Sequence, residues 1–401
     1  MQDIVITGMG FGDEGKGSFT HYFACKENIT NFIKYNGGCQ ASHTVTFDDG
    51  RVFKFSQLSS GMQPEIGRTF LSKHFVIDIL NLVVEIKEFA KLFKSDAKQI
   101  SSRIFIENDC VVVTPYHKVL NKIKEIAKGN DSIGSVGTGV SETMRILDET
   151  GICLRARDMV NKDVVLQVFA QLRELVQKHR VENPIKLSGE LNKETEFLLK
   201  EKSPELLFDY YQKHLNNYKL NFIDDFKTVT KNERVLYEGS QGVLLDKDHG
   251  FKPNVTHLTT TNEKVLAPNQ RKIGIIKSIN SRHGKGYFPT EDKEVSNIIS
   301  DENQEIGQFN GKIRFGWFDA ALLNYAIEKC PIDELALSSL DLIDKFDKIK
   351  ICTKHEQGRP VYIEMKPNRQ EFMSTIERLC NIKIKTFSTG PKFADKVEVL
   401  K

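Results

Sequence analysis

Residues 10–18, GFGDEGKGS, put phosphate-binding and acid–base groups into one short turn. Gly10, Gly15 and Lys16 fit the first seven positions of the phosphate-cradling pattern G-x-x-x-x-G-K, but Gly17 stands where that pattern carries the hydroxyl that holds magnesium. Glycines at 12, 15 and 17 let backbone N–H groups close on phosphate oxygens, and Lys16 adds a point charge. Asp13 and Glu14 bring two carboxylates into the same turn. A carboxylate beside phosphates is repulsive unless a magnesium ion bridges them or it takes a proton from the substrate. Asp13 is therefore the first candidate for chemistry.

Three more glycine-rich stretches carry polar groups. KYNGGCQASHTV places Gln40, Ser42, His43 and Thr44 after two glycines, and a histidine on a glycine-flanked turn is well placed to reach a ligand. SIGSVGTGVSET offers small residues and hydroxyls, Ser135 among them, ahead of a helical pattern. LYEGSQGVLLDKDHG ends an apolar run in a turn and brings Glu238, Gln241 and Asp246 forward.

The elements that must position these turns are visible as apolar runs. IVITG, RIFIE, CVVVTP, RVLYEG, KIGIIKSI, ELALSSL, KIKICT and VYIEM read as strands; VIDILNLVVEIKEFAKLF, YHKVLNKIKEIAKG and DAALLNYAIEKC read as helices. Their alternation predicts an α/β fold with a largely parallel sheet flanked by helices. In such a sheet the carboxyl ends of the strands form one binding edge, where the glycine-rich turns would meet. Residues 1–401 read as a single domain, with a possible helical subdomain at about 162–217. Trp317 reads as a packing residue at a helix start, and Asp248 and His249 as turn residues.

Composition limits the partners. With 401 residues and 39% hydrophobic content, the chain can bury a large core. Lysine plus arginine (57) exceeds aspartate plus glutamate (54) by only three, which argues against nucleic acid or a membrane surface as partner and leaves small anions open. No basic leader or membrane-length apolar run is present, so a cytoplasmic protein is expected. Seven scattered cysteines with no C-x-x-C pair fit reduced thiols, neither a disulfide framework nor a zinc motif.

Taken in order, GFGDEGKGS, YNGGCQASHTV, TPYHKVLN, IGSVGTGV, LYEGSQGVLLDKDHGFKPNVT, RHGKGYFPTE, RFGWFDAALL, SSLDLID and FSTGP resemble the landmarks of the adenylosuccinate synthetase family from end to end. The resemblance implies a fold related to P-loop GTPases, a homodimer, and a ligase that joins IMP to L-aspartate using GTP and Mg2+. It also implies roles. Asp13 would take the purine N1 proton and bind the metal with the Ser42 carbonyl, His43 would support charge between the β- and γ-phosphates, and Gln241 would hold the 6-oxo face. Gly12, Glu14, Gly15, Lys16, Gly17, Thr44, Asp341, Ser388 and Gly390 would bind the nucleoside triphosphate. Gln40, Ser135 and Thr256 would contact the IMP phosphate, and Lys312 and Arg314 the aspartate carboxylates.

Several positions depart from the family pattern. Gln40 replaces an asparagine, residues 135–139 read SVGTG for TTGRG, Lys312 replaces an arginine, and Ser339 replaces the lysine two before Asp341. These changes leave open a specialised paralogue using another purine nucleotide, another amine or ATP, and a non-catalytic nucleotide sensor or assembly subunit. A phage-type enzyme acting on dGMP would carry a smaller residue at Asp13.

Overall fold

The computed structural model describes residues 2–128, 137–299 and 313–399. A ten-stranded sheet forms its centre. Four elements carry labels below: β1 (Asp3–Gly8), α1 (Lys16–Lys26), β2 (Asn31–Lys34) and β3 (His43–Thr46). Across the sheet the strands run Lys396–Glu398, Ile384–Ser388, Glu334–Ser338, Gln270–Lys277, β1, Val235–Glu238, β2, Arg68–Leu71, Ile104–Glu107 and Asn221–Ile223. Every neighbouring pair is parallel except the first. Ile4, Val5 and Ile6 of β1 are all fully buried, as expected for a parallel strand covered on both faces.

The sheet bears out the expected α/β class, with local corrections. CVVVTP forms only isolated bridges, Ile77 to Val112 and Val111 to Arg155, because Pro115 opens a helix (Pro115–Lys128) directly after it. KIKICT and VYIEM lie outside the main sheet, as an antiparallel hairpin (Ile349–Glu356, Arg359–Met365) in a separate three-stranded sheet. Two short strands, β2 and Arg68–Leu71, escape the periodicity reading; four residues are too few to show a period. Helices Lys162–Glu182, Gly189–Leu198 and Ser203–Asn217 pack through Val165, Phe169, Leu198 and Tyr211 into the same apolar cluster as Ile4 and Phe32 of the central strands.

Candidate active site

The parallel strands bring six turns to one edge. They leave from Gly8, Lys34, Glu238, Lys277, Ser338 and Ser388, each the last residue of its strand. The loop after β1 closes against its neighbours with little space to spare. A Cβ on Gly8 would lie 2.5 Å from the Gln241 carbonyl oxygen, and one on Gly242 would lie 2.2 Å from that of Gly10. Gly15 adopts a left-handed conformation and starts α1 with no side-chain cap, leaving the helix N-terminal N–H groups to the loop side.

The two loop acids point different ways. Glu14 is 2% exposed, and its carboxylate accepts from the Gly10 N–H (3.0 Å), the Gly12 N–H (2.8 Å) and Lys16 Nζ (2.5 Å). It organises the loop and holds Lys16. Asp13 has a left-handed backbone and a side chain 51% exposed, with Lys277 Nζ 3.7 Å from its carboxylate.

His43 opens β3 and is buried against the loop. A Cβ on Gly17 would come within 2.5 Å of the His43 Cβ, which gives the missing hydroxyl a steric reason: a side chain at 17 and the imidazole cannot share this space. Behind the ring, His43 Nδ1 lies 2.5 Å from Glu238 Oε1. Glu238 also accepts from the Ser59 hydroxyl (2.6 Å), the Ser60 hydroxyl (2.6 Å) and the Ser60 N–H (3.0 Å), with Lys34 Nζ at 3.5 Å. Burial pushes the Glu238 carboxyl up, but Lys34 and His43 outweigh it and hold the group well below the usual carboxylate range. Burial and the Lys34 charge lower His43 to about 4, so the imidazole is neutral and donates its one proton to Glu238. Its Nε2 is buried with no hydrogen-bond partner among the described residues.

Other orphaned polar atoms mark the same turns. Gln241 has a left-handed backbone, and its buried Oε1 is unpartnered among the described residues; so are both amide atoms of Gln40 and the Thr256 hydroxyl. At the end of strand Glu334–Ser338, Asp341 Oδ1 is likewise buried without a partner, and burial raises its carboxyl. The Ser388 hydroxyl accepts from the Ser339 N–H at 3.1 Å, and Gly15 packs on Ser338. Gly390 abuts Asp395, and Thr44 is exposed on β3. Ser42 is exposed next to His43.

Arg314 donates to Glu291 (2.6 Å) and to the Gly286 carbonyl (3.0 Å). Ser135 and Lys312 lie outside the described residues. Asp246, which the sequence brings forward, turns inward instead, accepting from the N–H groups of Asp248, His249 and Thr260 to shape its own loop. Asp248 and His249 are turn residues, and Trp317 is buried against Phe346 with its indole N–H on Asp292.

Sequence reasoning brought Glu238 forward without its pairing to His43, and it missed Lys34 and Arg282 altogether. Glu238 sits 195 positions from the histidine it orients, Lys34 is fully buried within a strand, and Arg282 is 2% exposed over the Phe11 ring. Burial, then the charge of Arg314, lowers Arg282 to about 10. Lys34 and Glu238 each end a strand of the main sheet, a position that in parallel sheets faces the binding edge, whereas Arg282 lies in a separate antiparallel pair, Asn280–His283 with Ile313–Gly316, and carried no such signal.

Comparison with known proteins agrees with this fold. The adenylosuccinate synthetase family model matches residues 5–367. Among curated relatives, the adenylosuccinate synthetase of Wolbachia sp. subsp. Brugia malayi is 30% identical over 443 aligned residues, covering 100% of this chain and 97% of the relative. That of Chlorobium chlorochromatii is 33% identical, covering 88% and 79%. Among solved structures, fully ligated adenylosuccinate synthetase from Plasmodium falciparum superposes with a TM-score of 0.83 at 21% identity, covering both chains completely. The succinoaminodeoxyadenylate synthetase of cyanophage S-2L, bound to dGMP and dATP, gives 0.62 at 15% identity, covering 99% of this chain and 95% of that one. With a glycine-rich loop after β1, a buried histidine–carboxylate pair beside it and a match along nearly its whole length, the chain is a ligase of purine nucleotide biosynthesis and belongs to the adenylosuccinate synthetase family.

Proposed function

We propose that the six turns at the sheet edge make adenylosuccinate from IMP and L-aspartate through a 6-phosphoryl intermediate, with Asp13, His43 and Gln241 as the reacting groups. The observation that carries the assignment is the packing of a buried, carboxylate-oriented imidazole directly on the phosphate loop, in space that Gly17 leaves free.

Asp13 takes the N1 proton of the purine, so that O6 gains the electron density to attack the γ-phosphorus. Gln241 fixes the 6-oxo face with its amide. Lys16 and the loop N–H groups hold the phosphates, and the lysine must turn from Glu14 toward them. A phosphate chain arriving beside Nε2 favours a second proton on His43, and Glu238 stabilises the resulting imidazolium, which donates to the oxygen bridging the β- and γ-phosphates. The bond from the bridging oxygen to the γ-phosphorus breaks, GDP departs, and the C6–O bond then carries phosphate as leaving group. The amine of aspartate attacks C6, phosphate departs, and the product loses the amine proton. Positioning and charge stabilisation supply most of the acceleration.

Mg2+ fits the donor chemistry, since the half-exposed Asp13 carboxylate and the carbonyl of the exposed Ser42 are hard oxygen donors. When bound, it would neutralise charge on the phosphate oxygens. GTP is the proposed donor, because the orphaned Asp341 Oδ1 can accept from the guanine N1–H and 2-amino groups. Gln40 and Thr256 are assigned to the IMP phosphate, Arg314 to aspartate, and a cytoplasmic homodimer is the proposed working form.

The test couples phosphate release to product mass with Mg2+, L-aspartate, IMP and either GTP or ATP. Adenylosuccinate should form, faster with GTP, and Asp13→Ala should abolish it. Undiminished turnover in that variant would remove Asp13 as the base.

A further inference from the structure

We infer that Asp319, Cys352 and His355 form a zinc site on the small three-stranded sheet, outside the phosphate-loop edge. Strand Phe318–Asp319 runs parallel to Ile349–Glu356 with Asp319 opposite Cys352. Residues 352 and 355 of a regular strand would face opposite sides. The ladder to Arg359–Met365 shifts register between Cys352 and Lys354, and that irregularity turns Cys352 and His355 to one side.

The result is a compact donor set. One ligand atom from each of Asp319, Cys352 and His355 lies within 4.8 Å of the others, and His355 Nε2 is 2.9 Å from Asp319 Oδ2. Tetrahedral zinc, with bonds of about 2.0–2.3 Å, spaces its ligand atoms roughly 3.3–3.6 Å apart, so closure on the ion needs only small side-chain adjustments. Asp319 can serve twice. Its Oδ1 accepts from the Leu322 N–H at 2.9 Å and caps helix Ala320–Lys329, while Oδ2 faces the other two donors. On the far side of the imidazole, the Tyr287 hydroxyl lies 3.1 Å from His355 Nδ1, the outer hydrogen bond that metal-bound histidines use to fix their ring.

The donor chemistry selects the ion. Thiolate, imidazole and carboxylate together suit zinc, whereas magnesium takes oxygen ligands alone. Asp319 and Cys352 are essentially inaccessible to solvent and His355 only partly exposed, so the three protein ligands enclose the ion and leave its fourth position to water. Binding replaces the S–H bond with an S–Zn bond and releases the proton to solvent. The ion would tie the bulged strand to the start of the helix.

Cobalt(II) tests this in the full-length chain purified free of metal. One equivalent should produce a thiolate-to-cobalt charge-transfer band in the near ultraviolet, which zinc bleaches. Cys352→Ser should abolish the band, and Cys153→Ser, at a half-exposed thiol elsewhere, should leave it. His355→Asn, at the most exposed of the three ligands, should weaken cobalt binding at least tenfold and serves if the serine variant does not fold. Absence of the band in the unmodified chain, its survival in Cys352→Ser, or unchanged affinity in His355→Asn would each overturn the site.

Discussion

At the residue scale, the division of labour rests on which way each acid faces. Asp13 and Glu14 are adjacent, yet one opens to the cleft and the other is spent inside the loop. Asp13, Lys16 and His43 were legible in sequence because each lies in a glycine-rich turn. Glu238 was legible only as an acid at a turn; its pairing with His43 was not, since that depends on β2 and Val235–Glu238 becoming neighbours and on Ser59 and Ser60 arriving from a third segment. Replacing it tests the reading. Glu238→Gln keeps the shape but supplies a weaker, uncharged acceptor to the histidine, and kcat should fall about 10²–10⁴-fold with a smaller change in KM. A variant within threefold of the parent would show that the carboxylate does not tune His43. The histidine itself leaves a signature in stability. Its native pKa, about 4, lies below its ordinary 6.5, so the unfolded chain binds more protons between those values. The His43 contribution to stability is therefore present above about pH 6.5 and is lost as pH falls toward 4. Urea unfolding of the parent and His43→Asn across that window should show a stability difference that shifts in the parent's favour with rising pH; a flat difference would contradict the neutral, buried assignment.

At the scale of elements, the loop–helix unit of β1 and α1 works only together with β3. Gly17 belongs to α1 and His43 to β3, and each occupies the room the other needs. Gly17→Ser restores the hydroxyl of an ordinary phosphate loop, and it should lower kcat by about 10²-fold by displacing the imidazole while leaving the fold intact by circular dichroism. Retained activity would mean that His43 can move aside without loss. This contact left no trace in the sequence, because glycine at 17 looks like a missing hydroxyl until the opposing side chain is placed. Element type was legible where runs were long, as in the helices Ile79–Phe93 and Ala320–Lys329. It failed where four residues had to declare a strand, as in Arg68–Leu71, or where proline cut one short, as before Pro115.

At the scale of the whole molecule, the near-uniform parallel sheet does the gathering. Because almost every strand points the same way, turns more than 300 positions apart in sequence, from Gly8 to Ser388, share one edge. The α/β class and this edge followed from the alternation of elements; the split into one large and several small sheets did not, since hairpins such as Ile349–Met365 read like any other strand pair. The homodimer expected of the assembly is a matter for sedimentation equilibrium, where twice the 45.7 kDa chain mass should appear at micromolar concentration, and a monomer that still turns over would show that one chain completes its own site. The contact between Gly17 and His43 also bears on descent. A single mutation toward a hydroxyl at 17 forfeits the histidine before a hydrolytic mechanism can replace it, and a mutation of the histidine alone gains no metal ligand. By this steric exclusion, a path between such a ligase and an ordinary nucleotide hydrolase would need two coordinated changes, with each single change disabling the site.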